Sequence, residues 1–205
     1  SVKLHPAGFR RAYPPRYINN IYFDTKDCQS FDENISGIAD RAKCRLRWYG
    51  DVFGAINEPN LELKIKRGLA GTKERFALRP FHWESLGDLQ QTISSLQRDV
   101  GDAFELPFRM LEPTIFNRYR RNYFQSQSGT FRLTIDSELS TLPLRMGRRT
   151  LSSMTPTNRV VVELKYAREL DDVADQITRH FGWRVAKNSK YLLGMDDTAN
   201  QYEVG

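Results

Sequence analysis

Apolar and polar residues alternate with a period of two in several short segments of this chain. In residues 41–50, RAKCRLRWYG, three cations alternate with three apolar residues: Lys43, Arg45 and Arg47 with Cys44, Leu46 and Trp48. Successive side chains of a β-strand point to opposite faces of the sheet. This segment is therefore predicted to be a strand with one basic face and one apolar face.

The same alternation recurs along the chain. Further strands are expected at residues 16–24, 61–68, 72–78, 113–124, 130–139 and 159–166. Pro14 and Pro15 are expected to precede the first of these, and glycine-containing turns join two pairs of strands into hairpins. Apolar residues three or four apart predict helices at 84–97 and 169–181. Shorter helices are expected at 25–37 and 187–195.

Cations recur on the polar faces of these predicted strands, where carboxylates are fewer. The cations are Lys64, Lys66, Arg121, Arg132 and Lys165, and the carboxylates are Glu62, Asp136 and Glu163. An open sheet would turn these polar faces to water and pack its apolar faces on helices. A closed barrel would place the cations inside, where their repulsion and desolvation need a polyanion to offset them. On these grounds alone the open sheet is slightly favoured.

Composition indicates a folded protein with an anionic partner. The 205 residues fit one domain, 1–205, and 31 Lys and Arg against 25 Asp and Glu give a formal net charge of +6. The two cysteines and three histidines have no metal-ligand spacing. We expect a cytoplasmic or cytosol-facing protein, because no segment resembles a signal peptide or a membrane span. No motif indicates sequence-specific nucleic acid recognition.

Six motifs in order resemble the VTC domain, the catalytic domain of vacuolar transporter chaperone polyphosphate polymerases and their bacterial relatives. They are YFDT at 22–25, KCRLRWYG at 43–50, LELKIKRG at 61–68, FRLTID at 131–136, VVELKY at 161–166 and KNSKY at 187–191. That family lies within the triphosphate tunnel metalloenzyme (CYTH-like) superfamily. The resemblance implies an α+β fold, an antiparallel β-barrel tunnel with peripheral helices.

The resemblance also implies roles for individual residues. Residues similar to the family's catalytic cations are Arg45, Arg47, Lys64, Arg121, Arg132 and Lys190. Substrate-binding roles are expected for Lys43, Lys66, Lys165, Lys187 and Ser189, and Glu163 is similar to the carboxylate that helps to hold Mn²⁺ or Mg²⁺. Family members usually begin with an additional strand that has no counterpart here, so we expect either a fragment of a longer protein or a barrel that lacks its first strand.

Three functions follow from the resemblance and stay open on the sequence. The first is a polyphosphate polymerase that binds ATP and polyphosphate and uses a divalent metal. The second is a tripolyphosphatase or nucleoside triphosphatase, and the third is a non-catalytic module that binds polyphosphate or tripolyphosphate. All three need cations that neutralise phosphate oxygens, and none needs a protein nucleophile.

Overall fold

The fold is built on one long antiparallel sheet. The structure is a computed structural model that describes residues 2–68, 70–100, 108–145, 154–182, 186 and 189–195. Its strands are β1 (Arg10–Asp24), β2 (Arg41–Tyr49), β3 (Gly54–Ile56), β4 (Asn60–Arg67), β5 (Ala70–Ala77), β6 (Phe81–Trp83), β7 (Glu112–Gln125), β8 (Arg132–Pro143), β9 (Thr155–Pro156) and β10 (Val161–Lys165). Its helices are α1 (Gln29–Ile35), α2 (Leu89–Val100), α3 (Asp171–Arg179) and α4, at residues 190–195.

Within the described residues, four short 3-10 helices accompany these elements, at Val2–Leu4, Leu86–Asp88, Phe108–Met110 and Arg168–Leu170. The second and the fourth precede α2 and α3, so these two α-helices begin later than the apolar spacing indicated. Ser85 caps the turn before α2, because its hydroxyl accepts a hydrogen bond from the Gly87 amide. Thr25, the first residue of the helix predicted at 25–37, accepts from the Gln29 amide at 3.0 Å, although α1 itself starts only at Gln29.

The strand order is β10-β8-β7-β1-β2-β4-β5, with β9 beside β8, and β3 and β6 form a separate two-stranded sheet. Within the described residues the two edge strands, β5 and β10, are not paired with each other. Both nevertheless supply side chains to one cavity, Lys73 from β5 and Glu163 from β10. The sheet is therefore curled into a barrel-like tunnel, as the resemblance implied.

Apolar side chains lie on the outer face of the curled sheet. Trp48 packs against Trp83 and Phe116, with ring centroids 5.5 and 5.9 Å away, in a core that α2 covers. A second core lies between α3, the N-terminal segment and β8, around Leu133 and Ile177. Burial of apolar area on the outside leaves the alternate residues of the strands, including cations such as Arg45 and Lys64, to face inward.

The first strand is longer than expected and runs through both prolines. It begins at Arg10 rather than Arg16, and its register against β7 shifts between Arg11 and Tyr13 and again between Tyr13 and Arg16. This part of β1 pairs with β7 but not with β2, whose pairing starts at Ile18. Proline is tolerated there because an unpaired edge and a bulge need no ladder hydrogen bond from the missing N–H.

In the described part of the chain, no helix has the length and hydrophobicity required to span a membrane.

Candidate functional site

A cavity of about 460 Å³ lies on the inner face of the sheet. Its described lining residues include eight cations and two carboxylates: Lys43, Arg45, Arg47, Lys64, Lys73, Arg121, Lys165 and Lys190, with Glu62 and Glu163. Tyr22, Tyr119, Val161, Val162, Ala186 and Ser189 complete the lining. The cations exceed the carboxylates by six charges, and this excess favours an anionic ligand.

Three lysines lie directly opposite one another on adjacent strands at one side of the cavity. Lys43 of β2 pairs with Lys64 of β4, and Lys64 pairs with Lys73 of β5. Like charges that face each other across strands destabilise a sheet. The Lys43 ammonium donates to the Ser189 hydroxyl at 2.8 Å, and among the described residues neither Lys43 nor Lys64 has a carboxylate partner. Their charge is therefore available to a ligand.

The surroundings of Lys43 lower the pKa of its ammonium group. Burial, together with repulsion from the neighbouring cations Arg41, Lys64 and Arg45, lowers the pKa of Lys43 to about 8. Burial disfavours the charged form, and repulsion by like charges acts in the same direction. A bound phosphate would reverse both effects, because it supplies the negative charge that this part of the cavity lacks.

Glu62 holds three cations in place. Its carboxylate accepts from the Arg45 Nε at 2.8 Å and from the Lys73 Nζ at 2.8 Å, and it lies 3.6 Å from a terminal nitrogen of Arg47. Burial opposes ionisation of Glu62, but Arg45, Arg47 and Lys73 together bring its pKa down to about 2. Glu62 is therefore ionised at neutral pH, and both of its carboxylate oxygens already accept hydrogen bonds from cations.

Hydrogen bonds to neutral groups fix the two arginines of β2 further. The Arg47 Nε donates to the Asn20 side-chain oxygen at 2.8 Å, and Asn20 in turn donates to Asn117 at 2.8 Å. A terminal nitrogen of Arg45 donates to the Tyr22 hydroxyl at 3.3 Å. Burial tends to raise the pKa of Tyr22, but Arg45 and Arg47 lower it on balance. The guanidinium groups are therefore positioned before any ligand binds.

Asp136 organises the other side of the cavity. It accepts two hydrogen bonds from Arg121, at 2.6 and 2.8 Å, and forms an ion pair with the Lys190 ammonium at 2.6 Å. Its side chain is 1% exposed; burial opposes ionisation, but Arg121 and Lys190 hold its pKa below the ordinary value. Lys190 also lies 4.9 Å from the centre of the Tyr119 ring.

The C-terminal helix α4 brings Lys190 into the cavity. The Tyr191 hydroxyl donates to Asp24 at 2.6 Å, and its ring stacks on Tyr22 at 5.3 Å. Asp24 also accepts from the Ser30 and Phe31 amides at the start of α1. The cavity beside this helix therefore brings together Lys43 and Ser189, which are 146 positions apart in the sequence.

Glu163 is the carboxylate that remains available for a metal ion. It lines the cavity, its side chain is 45% exposed, and it lies 3.5 Å from the Lys165 ammonium. In the part of the chain that the structure describes, no group of three or more His, Cys, Asp or Glu side chains is placed to hold a metal. These residues can hold a divalent ion only if phosphate oxygens and water supply most of its ligands, and such coordination is common for Mg²⁺.

Most of the predicted site residues lie together on the cavity. Those that line it are Arg45, Arg47, Lys64, Arg121 and Lys190 from the catalytic set, Lys43, Lys165 and Ser189 from the substrate-binding set, and Glu163. Arg132 and Lys66 do not line it, and Arg132 is exposed at the start of β8. This position does not favour a catalytic role for Arg132. Lys187 lies outside the described residues.

Sequence reasoning missed Lys73 and the positioning role of Glu62. Lys73 could have been found from the hairpin of β4 and β5, because the turn at Gly68 places it opposite Lys64. Arg120, on the opposite face of β7 from Arg121, is exposed and forms an ion pair with Glu138 at 3.2 Å.

Comparison with known proteins shows a likeness of fold. A solved structure of a candidate adenylate cyclase from Bacillus halodurans aligns with a TM-score of 0.51 and 14% identity, covering 86% of this chain and 80% of the other. A candidate adenylyl cyclase from Hippeastrum, described as having a dominant triphosphatase activity, aligns with a TM-score of 0.47 and 13% identity, covering 91% of this chain and 85% of the other.

No curated protein sequence matches the chain. The family model of the VTC domain, in contrast, matches residues 12–198, which is nearly the whole chain. The order of the six motifs indicated the same family from the sequence. The chain therefore belongs to the VTC domain family.

Proposed function

We propose that the cavity binds triphosphate and polyphosphate, and that the domain transfers the γ-phosphoryl group of ATP to a growing polyphosphate chain with a divalent metal. The observation that carries this proposal is the excess of inward-facing cations, above all the facing row of Lys43, Lys64 and Lys73. Such a cluster is costly to assemble in a protein unless a polyanion occupies it. Membership of the VTC domain family supports the same substrate class.

The reaction needs little covalent help from the protein. An oxygen of the terminal phosphate of the acceptor chain forms a bond to the γ-phosphorus of ATP, the bond from that phosphorus to the β–γ bridging oxygen breaks, and ADP leaves. The positioned guanidinium groups of Arg45, Arg47 and Arg121 would neutralise the charged oxygens. Each charge-assisted hydrogen bond of this kind contributes about 1.5–3 kcal/mol.

Glu163 is the residue that we expect to hold the metal, Mn²⁺ or Mg²⁺, together with phosphate oxygens. The ion supplies additional positive charge at the transferring phosphoryl group. Lys165, 3.5 Å from Glu163, would keep that carboxylate oriented until the ion binds. Glu163→Gln is expected to remove the Mn²⁺ dependence of ligand binding while leaving metal-free tripolyphosphate binding within about twofold of the wild type. An unchanged response to Mn²⁺ would exclude Glu163 from the site.

The decisive experiment is incubation of the protein with ATP and Mn²⁺, followed by gel analysis for polyphosphate and an assay for free phosphate. A ladder of polymer would establish the polymerase. Free phosphate without polymer would assign the triphosphatase, and neither product together with tight tripolyphosphate binding would assign the binding module. Lys64→Ala should lower the yield at least tenfold, since a charge-assisted contact of about 1.5 kcal/mol corresponds to that factor.

A matched variant controls for the loss of charge alone. Arg120→Ala removes an exposed cation on the opposite face of the sheet and should leave the yield unchanged. An equal loss in both variants would show that net charge, rather than the cavity, sets the activity.

Because the proposed donor is ATP, we propose that the domain lies in the cytosol or faces it. We also expect no sequence-specific binding of nucleic acid.

A further inference from the structure

Three more arginines lie beyond the cavity on the same face of the sheet. We propose that Arg10, Arg16 and Arg132, here called the outer arginine track, bind the part of a polyphosphate chain that extends past the cavity. This inference rests on the proposed function and deepens it, because it assigns the site to chains longer than a triphosphate. The three residues are exposed, and within the described residues none of them has a carboxylate partner.

Strand pairing places Arg16 next to the cavity. Arg16 of β1 lies directly opposite Arg121 of β7, and Arg121 lines the cavity. Directly opposite residues of an antiparallel pair project from the same face of the sheet. Arg16 therefore continues the inward-facing series of cations across one strand, toward the end of the sheet where β1 pairs only with β7.

Two tyrosines fix the orientation of the Arg16 guanidinium. Its central carbon lies 4.0 Å from the centre of the Tyr49 ring and 5.2 Å from that of Tyr123. Its Nε donates to the Tyr123 hydroxyl at 2.9 Å, which leaves both terminal nitrogens without an acceptor among the described residues. Tyr49 and Tyr123 are each two residues, or about 6.7 Å, beyond the cavity-lining Arg47 and Arg121. A planar guanidinium fixed in advance suits bidentate binding of phosphate.

Arg10 and Arg132 form the next row of the track. Arg10 pairs with Gln125, Gln125 pairs with Arg132, and Arg132 pairs with Lys165 of the cavity lining. All four side chains thus share the inner face at the end of β7. This placement gives Arg132, which the sequence marked as catalytic, a binding role outside the cavity.

Other side chains already cover the two tyrosine rings, and this favours phosphate over a nucleobase as the ligand. Arg16 already covers Tyr49 and approaches Tyr123, and Tyr13 meets Tyr123 edge-on with ring centroids 5.8 Å apart. A base would have to displace Arg16 in order to stack on them. The terminal nitrogens of Arg16 require no such change to bind a phosphate oxygen.

The test compares the binding of tripolyphosphate and of size-fractionated long-chain polyphosphate by isothermal titration calorimetry at one ionic strength. Arg16→Ala should weaken long-chain binding about twofold to fivefold, the range for an exposed ion pair, and leave tripolyphosphate binding unchanged. Arg10→Ala, the other exposed arginine of the track on β1, should do the same. Tyr123→Phe, which removes only the hydroxyl acceptor of Arg16, should have a smaller effect of the same kind, and Arg120→Ala should have none.

The outcomes separate this inference from the proposed function. Equal effects of Arg16→Ala on both ligands, or no effect on either, would overturn the outer arginine track while tripolyphosphate binding to the wild type still stood. Failure of the wild type to bind either ligand would overturn both. Thermal unfolding of each variant, performed in parallel, would identify a general loss of folding, and Arg16→Lys should then recover part of the long-chain affinity because it keeps the charge.

Discussion

At the scale of single residues, the cavity depends on a balance between repelling cations and two buried carboxylates. Glu62 and Asp136 are 6% and 1% exposed at the side chain, and each holds at least two cations. They leave the lysine row of Lys43, Lys64 and Lys73 only partly compensated, because within the described residues only Lys73 reaches Glu62. The same residues that stabilise the empty cavity therefore preserve its affinity for anions.

The lowered pKa of Lys43 predicts a pH dependence. Its folded-state pKa of about 8 lies below the unfolded value of about 10.4, so keeping the proton costs stability below about pH 8, and this cost disappears as the pH rises toward 10.4. Anion binding requires the proton, so tripolyphosphate affinity should fall as the pH rises through about 8. Calorimetric titration should give a less steep decline for Lys43→Gln. Equal slopes in the two proteins would exclude Lys43 as the titrating group.

Substitution of Glu62 tests the role of the carboxylate anchor. Glu62→Gln leaves Arg45, Arg47 and Lys73 without their countercharge and should lower the free energy of unfolding by about 1–3 kcal/mol, since the cavity is open to solvent. Tripolyphosphate should raise the melting temperature of this variant more than that of the wild type. Glu58→Gln, an exposed control, should change neither quantity.

The same anchor predicts the behaviour in acid. The folded-state pKa of Glu62, about 2, lies below the unfolded value of about 4.3. Its contribution to stability is therefore fully present above about pH 4.3 and is lost as the pH falls toward 2. In acid titrations followed by circular dichroism, the difference in stability between wild type and Glu62→Gln should shrink over this window. A constant difference would contradict the assignment.

At the scale of elements, helix α4 determines whether the cavity is complete. Its glycine, Gly194, lies so close to β7 that an added Cβ would come within 2.7 Å of the Ile115 side chain. Ile115 is fully buried, so it has little freedom to move. Close packing at Gly194 and the hydrogen bond from Tyr191 to Asp24 together fix the position of Lys190.

Removal of the Tyr191 hydroxyl should loosen this helix. Tyr191→Phe removes one of the two donors to Asp24 Oδ2, which keeps the Phe31 amide, and should cost about 1–3 kcal/mol of stability. Amide hydrogen exchange should become faster at residues 190–195, and tripolyphosphate should bind more weakly because Lys190 is less well positioned. Tyr166→Phe, at an exposed tyrosine, should leave exchange in α4 unchanged. Unchanged exchange in Tyr191→Phe would show that other contacts hold the helix.

At the scale of the whole molecule, the sheet curls around charges that repel one another. A ligand that binds only the folded state stabilises it by mass action, by about 2.7 kcal/mol at a concentration one hundred times its Kd. For a chain of this length that corresponds to an increase in melting temperature of about 5–10 °C. Tripolyphosphate should produce this increase in differential scanning fluorimetry, and sodium chloride at the same ionic strength should not. Equal shifts would indicate general screening of charge.

The sequence by itself determined the long strands of the main sheet, their basic faces and the family, but not the short strands β3, β6 and β9. Period-two alternation is a local property, and it was sufficient to locate both hairpins and to assign Arg45, Arg47, Lys64 and Arg121 to polar faces. Alternation alone could not decide whether those faces pointed to water or into a tunnel. The charge balance slightly favoured an open sheet with its polar faces in water, and only the resemblance to the VTC domain favoured the tunnel.

Tertiary structure decided which of the polar residues meet. The curl of the sheet joins Lys73 and Glu163 from opposite edges, and α4 carries Lys190 to Asp136. Arg132 and Lys66 share the alternation of the lining residues but lie outside the cavity, and Arg132 does so although it is directly opposite the lining residue Lys165. These relations depend on sheet curvature, bulges and helix docking, which arise from contacts between residues distant in the chain. A local pattern contains no information about such contacts.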